Sequence, residues 1–105
     1  MTEGKALYAD LVAEHLTRPE VSIGRMLRND GLKINGRTFA FISMRERLVV
    51  KLPQERAAAL VAVGTAHAVE MGTRRMREWV EIPELDEDTW RALMEEAAAY
   101  VETLA

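Results

Sequence analysis

The sequence contains no cysteine, and this absence excludes several classes of protein. A disulfide framework, a thiolate zinc site, a cysteine nucleophile and an iron–sulfur cluster all require that residue. No apolar run approaches the length of about 18 residues that crosses a bilayer. The N-terminal stretch MTEGKALYADLVAEHL carries acids within an amphipathic pattern, unlike a secretory signal with a basic and then an apolar segment. We therefore expect a cytoplasmic protein that does not bind membranes.

Residues that could support catalysis or metal binding are also scarce. His15 and His67 are the only histidines, and neither stands in an HExxH or HxH pattern. No serine occupies a G-x-S-x-G motif, and Gly31 and Gly36 are spaced for turns and do not open a helix, as a phosphate loop would require. The acids of residues 84–88 could bind a hard cation, but their position before a helix favours a capping role. We predict no enzymatic activity, no catalytic residues, no cofactor and no metal.

Length and composition indicate one domain that spans residues 1–105. Of its 105 residues, 49% are hydrophobic and 30% are charged, which suffices for a core without metal or disulfide support. The net charge of −3 is unevenly spread: residues 18–51 hold eight basic and three acidic residues, and residues 84–105 hold seven acidic and one basic. This asymmetry indicates either a basic binding surface or basic strands and an acidic helix that offset each other within one fold.

Three segments have the periodicity of helices. The apolar positions between Thr2 and Leu16 recur at helical spacing, and Pro19 ends the pattern. After Pro53, the segment QERAAALVAVG is rich in helix formers and ends at Gly64, a residue suited to a left-handed cap. A third helix begins after Asp86, a cap candidate, and its apolar stripe should dock on a sheet. The stripe consists of Trp90, Leu93, Met94, Ala97, Val101 and Leu104.

The remaining segments predict an antiparallel sheet. VSIGRMLR has strand character, and the turn signals NDG at 29–31 and NG at 35–36 predict two hairpins around a short middle strand. RTFAFISM and RLVVKL complete a four-stranded meander, and MREWVEI forms a fifth strand cut off by Pro83. We expect TAHAVEMGTR to be an ordered loop. The predicted fold is α+β, in the order α-β-β-β-β-α-β-α, with three helices packed on about five strands.

Side-chain alternation places apolar residues on both faces of this sheet. Phe39 and Phe41 alternate with Ala40 and Ile42, so we expect both phenylalanines on one face together with Val49 and Trp79. A solvated face would instead be polar. These residues therefore need a cover, either a second copy of the chain in a homodimer or the protein's own elements. In the second case, the helices divide between the two faces or the segment 65–73 folds over the aromatic side chains. The candidate interface consists of Phe39, Phe41, Val49 and Trp79.

A second candidate surface is basic. The segment GTRRMREW gathers three arginines beside an aromatic residue, a composition that suits phosphate contact with base stacking. Such arginines also occur as solvated residues or as partners of neighbouring acids. The candidate nucleic-acid contacts are Arg25, Arg28, Lys33, Arg37, Arg74, Arg75 and Arg77.

An ordered series of motifs resembles a known family. GLKINGRTFAFI, then RLVVKLPQERAAALVAVG, then RRMREWVEI and a terminal helix are similar to the N-terminal domain of the TfoX (Sxy) family, over about residues 20–104. The sequence departs from the family's usual Phe-Gly at Leu27 and Arg28. The matching positions are Met26, Gly31, Leu32, Gly36, Phe39, Ala40, Leu48, Lys51, Gly64, Met76 and Trp79.

The resemblance implies a small, non-enzymatic α+β domain that is regulatory in the family's best-known members. TfoX proteins that regulate competence carry a second, C-terminal domain, and we expect this chain to be a stand-alone N-terminal domain. Our leading hypothesis is an interaction module, homodimeric and with a protein partner still to be identified, that acts through the sheet face. The alternative is a regulator that binds nucleic acid through the basic surface.

Overall fold

The computed structural model describes residues 3–25, 30–71 and 73–104, and within them every side chain except those of residues 25, 30, 71, 74 and 75. The chain forms an α+β fold, as predicted, and the order of its elements is confirmed except for one additional strand. The helices are α1 (Glu3–His15), α2 (Gln54–Ala62) and α3 (Glu87–Glu102). The strands are β1 (Val21–Arg25), β2 (Asp30–Ile34), β3 (Arg37–Ile42), β4 (Leu48–Lys51), β5 (His67–Met71) and β6 (Arg74–Ile82).

The six strands form one antiparallel sheet in the order β1-β2-β3-β4-β6-β5. The additional strand is β5, and it lies in the segment that we expected to be a loop. That prediction is wrong. The segment has no alternating pattern of its own, and it forms a strand because it pairs with the long neighbouring strand β6 at the edge of the sheet. The pairing of β5 with β6 is irregular: Ala68 lies opposite Val80, but Val69 lies opposite Met76.

The turn at Asn35–Gly36 forms as predicted. Ile34 pairs with Arg37 across it, and Asn35 and Gly36 have φ values of 50° and 83°, both in the left-handed region that a type I′ turn requires. The other predicted turn is misplaced, because Gly31 lies in β2 and pairs with Gly24 of β1. The register of β1 with β2 is set by the apolar residues that pair beside these glycines, because those residues must lie on the same face of the sheet. The connection between these strands, residues 26–29, lies outside the described residues, as do the family positions noted there.

All three helices contribute side chains to one core on one face of the sheet. α3 packs across β3 and β4, α2 packs on β6 and β5, and α1 adds Leu11 to the same cluster. Salt bridges connect neighbouring helices: Arg91 of α3 binds Glu14 of α1 at 2.9 Å, and Arg56 of α2 binds Glu96 of α3 at 2.9 Å. The alternative in which the helices divide between the two faces is therefore wrong for the residues that the structure describes.

The ends of the helices follow the sequence signals. The Asp86 carboxylate accepts a hydrogen bond from the backbone N–H of Thr89 at 3.1 Å, so this acid caps α3. The indole N–H of Trp90 donates to the Glu84 carbonyl at 2.8 Å, which anchors the segment before the helix. Gly64, with a φ of 84°, follows α2 in the left-handed conformation expected of it.

A β-bulge in β3 changes which face Phe39 occupies. Leu32 lies opposite Ala40 and Lys33 lies opposite Thr38, so Phe39 is the extra residue of the pair. Phe39 and Ala40 are both completely buried in the helix-side core, and the Phe39 ring lies 6.1 Å from the ring of His15. The prediction that Phe39 shares a face with Phe41 is wrong, because strict alternation does not hold across a bulge.

Phe39 and Phe41 should therefore contribute unequally to the stability of the fold. We expect Phe39→Ala to lower the free energy of unfolding by about 3–5 kcal/mol, because it leaves a cavity in the core. Phe41→Ala, which removes a partly exposed ring, should cost only about 1 kcal/mol. Urea denaturation of the two variants measures both values, and equal losses would contradict the placement of Phe39.

Candidate functional site

The strongest candidate surface is the sheet face opposite the helices, which we call the open face. It carries Lys33, Phe41, Val49, Lys51, Trp79 and Glu81, with Arg77 at its edge. Within the described residues no helix covers it, because the buried hydrophobic residues of all three helices belong to the core cluster on the other side. β5 does not fold over it either, since this strand is an edge of the same sheet. The open face therefore presents its side chains outward.

An apolar cluster lies at the centre of the open face. Phe41 and Val49 are direct cross-strand partners, and Trp79 lies on the next strand, opposite Lys51. The Phe41 and Trp79 ring centroids are 5.5 Å apart at an angle of 49°, a favourable tilted arrangement. Val49, on the strand between them, is only 2% exposed although none of the helices that the structure describes lies above it. The two rings thus shield Val49 and remain partly exposed themselves. We call Phe41, Val49 and Trp79 the aromatic cluster.

Charged side chains surround the aromatic cluster. Arg47 Nη1 lies 3.4 Å from Glu81 Oε1, and Glu81 is the cross-strand partner of Val49. On the other side of the cluster, Lys51 Nζ lies 5.9 Å from the centre of the Trp79 ring, within the range of a cation–π interaction. The same ammonium group lies 3.7 Å from Glu78 Oε1. An apolar centre with a charged rim is the usual organisation of a protein interface.

The structure brings together only some of the predicted basic contacts. Lys33 lies on the open face, with its side chain across Gly24, and the exposed Arg77 has the same strand parity as Trp79. Three strand spacings, or about 14 Å, separate the strands of these two cations. Arg37 is exposed but pairs with Ile34, whose side chain belongs to the helix-side core. Arg28 lies outside the described residues. Arg25, Arg74 and Arg75 lie in strands, but their side chains are not among those described.

Charge is segregated between the two layers of the fold. The helices contain nine acidic and three basic residues, whereas the strands contain seven basic and four acidic residues. This segregation agrees with the interpretation that basic strands and acidic helices offset each other within one fold. The charged residues of the open face and its edge, Lys33, Lys51, Arg77 and Glu81, sum to +2, whereas those of the helices sum to −6, so the open face is more basic than the helical layer.

Sequence reasoning missed a groove of about 810 Å³ between α2 and β6. The groove borders the stretch of β6 from Arg77 to Trp79, whose residues do not pair with any residue of β5. At this stretch the phenol of Tyr100, on α3, donates a hydrogen bond to Glu78 Oε2 at 2.5 Å. This hydrogen bond, more than the burial of the phenol, raises the pKa of Tyr100 above its usual value, because the carboxylate favours the protonated phenol. The run of alanines in α2 was the one feature of the sequence that could have indicated this groove, because short side chains leave space beside a helix.

Comparisons with known proteins identify no family for this chain. No family model matches it, and no curated protein and no solved structure is significantly similar to it. The TfoX resemblance therefore rests on the sequence motifs alone. None of the helices in the described ranges has the length and apolar character needed to cross a membrane. The described residues also include no group of three or more histidines and acids placed to hold a metal ion.

The Tyr100–Glu78 contact predicts a measurable titration. We expect the Tyr100 pKa to lie above that of a free tyrosine, and Glu78→Gln to lower it, because the neutral amide no longer favours the protonated phenol. NMR titration of the Tyr100 ring measures both values. Glu96→Gln, a change at an acid on α3 that pairs with Arg56 instead, should leave the Tyr100 pKa unchanged. An equal shift in the two variants would contradict the contact.

Proposed function

We propose that this chain is a non-enzymatic regulatory module that acts through protein contacts on its open face. The observation that carries the proposal is the aromatic cluster, which lies on a sheet face that none of the described helices covers. A solvated antiparallel sheet is ordinarily polar on its outer face, and apolar patches rimmed by charge mark interaction sites. The motifs that resemble the TfoX N-terminal domain support a regulatory role.

The non-enzymatic character is part of this proposal and rests on the placement of the reactive side chains. His15 is buried in the protein, with Nδ1 2.9 Å from the Leu11 carbonyl oxygen, whereas His67 is exposed on the edge strand β5. The two histidines therefore do not share a site. Among the described residues, we identify no nucleophile with an adjacent base and a group that orients that base.

The first partner that we propose is a second copy of the chain. An isologous dimer would place two aromatic clusters against each other and bury all four rings. The rim of the open face is net positive, with Lys33, Lys51 and Arg77 beside the Arg47–Glu81 pair. Two such rims repel each other, and salt screens that repulsion. Self-association through this face should therefore strengthen when salt is added.

Solution mass tests this dimer. We expect light scattering across a dilution series to show a dimer whose dissociation constant rises about tenfold or more in Trp79→Ala, because truncation of a central aromatic residue removes a dominant contact. Added salt should lower the dissociation constant of the wild-type dimer. Leu85→Ala, a truncation of an exposed apolar residue in the segment between β6 and α3, serves as the control.

Two outcomes would count against self-association. A monomer at every concentration and salt level would exclude the second copy as partner, and an equal effect of Leu85→Ala would exclude the open face as the contact surface. Thermal melting of each variant shows whether a lost dimer reflects a lost fold.

A second candidate function is the binding of single-stranded nucleic acid to the same face. The specific observation in its favour is the combination of two partly exposed rings with Lys33, Lys51 and Arg77 on the more basic layer of the protein. Aromatic side chains stack with bases regardless of sequence, and cations follow the phosphate backbone.

Salt dependence separates this candidate from the dimer. We expect binding of a thymidine oligonucleotide, followed by tryptophan fluorescence, to weaken as salt increases, because counterions are released on binding. The double variant Lys33→Ala with Arg77→Ala should weaken it further, and the helix pair Lys5→Ala with Arg56→Ala should not. An affinity independent of salt would exclude this function.

A further inference from the structure

We propose that the groove between α2 and β6 binds a small ligand with an apolar body and one anionic group. The groove shares Lys51, Arg77 and Trp79 with the open face, but this inference concerns a small ligand held against α2 and does not rest on the proposed interaction function. Its volume of about 810 Å³ lies within the range of about 300–1,000 Å³ typical of small-molecule pockets.

The walls of the groove determine the apolar part of this ligand. Ala57, Ala58 and Val61 line it from α2, and Ala68 and Met76 line it from the two strands. The side chains on α2 and Ala68 are short, which leaves the space between helix and sheet unfilled. Met76 adds a flexible side chain that adapts to the shape of a bound molecule. A chain of methylene groups or a small ring fits such walls without an unpaired polar group.

The polar side chains of the groove determine the sign of the ligand's charge. Lys51, Arg77 and Glu78 line it, so the ionised groups sum to one positive charge. Glu78 is already engaged on both oxygens, with the Tyr100 phenol at Oε2 and the Lys51 ammonium at Oε1. Arg77 is exposed and forms no salt bridge with the described side chains. A carboxylate that binds the Arg77 guanidinium neutralises this charge.

The shifted pairing of β5 and β6 explains why the groove exists at this place. Ala68 pairs with Val80 and Val69 pairs with Met76, so the three residues of β6 between these pairs have no partner on β5, although Trp79 still pairs with Lys51 of β4. Irregular pairing at a sheet edge commonly redirects side chains toward a functional site. Here the irregular stretch itself, from Arg77 to Trp79, lines the groove.

The test compares octanoate with octanol, which has a similar apolar chain and no charge. We expect NMR titration to show octanoate binding about tenfold more tightly than octanol, with shifts at Ala58, Val61 and Met76. Arg77→Ala should lower the octanoate affinity by about the same factor and leave octanol unchanged. Arg37→Ala, which removes an exposed arginine outside the groove, should change neither affinity.

A matched pair of helix variants tests the location. Ala58 and Ala59 are both exposed on α2, but only Ala58 lines the groove. Ala58→Trp should fill the groove and abolish binding of both probes, whereas Ala59→Trp should preserve it. The absence of octanoate binding, equal affinities for octanoate and octanol, or equal effects of the two tryptophans would each overturn the proposal. Neither alanine lies on the open face, so failure here leaves the proposed interaction function unaffected.

Discussion

The β-bulge at Phe39 determines how the aromatic residues of this protein are divided between the two faces of its sheet. With regular alternation, Phe39 and Phe41 would lie together and the helix-side core would lack its largest strand residue. The extra residue instead places Phe39 beside His15 and beneath the helices, completely buried. Phe41 alone remains on the open face, where it packs against Trp79. One local irregularity therefore fills the core and also defines the aromatic cluster.

The arrangement of the helices completes this division. Arg91 and Arg56 connect α3 to its two neighbours, so the helices form one layer across the sheet. The arginine–glutamate pairs are exposed at the surface and contribute little to stability, whereas the shared core below them contributes most of it. Because nine of the seventeen acidic residues lie in the helices and seven of the fourteen basic residues lie in the strands, the same packing separates charge across the molecule.

Features that depend on neighbouring residues in the sequence were predictable, and those that depend on partner strands were not. The Asn35–Gly36 turn and the Asp86 cap follow from local chemistry, and the stripe of α3 follows from its period. The bulge, the strand β5 and the position of Gly31 depend on register between strands, which a single segment does not encode. Phe41, Val49 and Trp79 were predicted to share a face, and the prediction wrongly added Phe39 to them. The groove was missed because the shifted pairing of β5 and β6 creates it.

The burial of Val49 has a consequence for the thermodynamics of any association at the open face. Phe41 and Trp79 already pack against each other over Val49, so their rotamers are restricted before a partner arrives. An interface ordinarily loses about 0.5–1.5 kcal/mol for each flexible side chain that it immobilises. At this surface much of that entropy has already been lost during folding. A partner that contacts the two rings would therefore lose little free energy in ordering them, and most of the favourable contact energy would contribute to affinity.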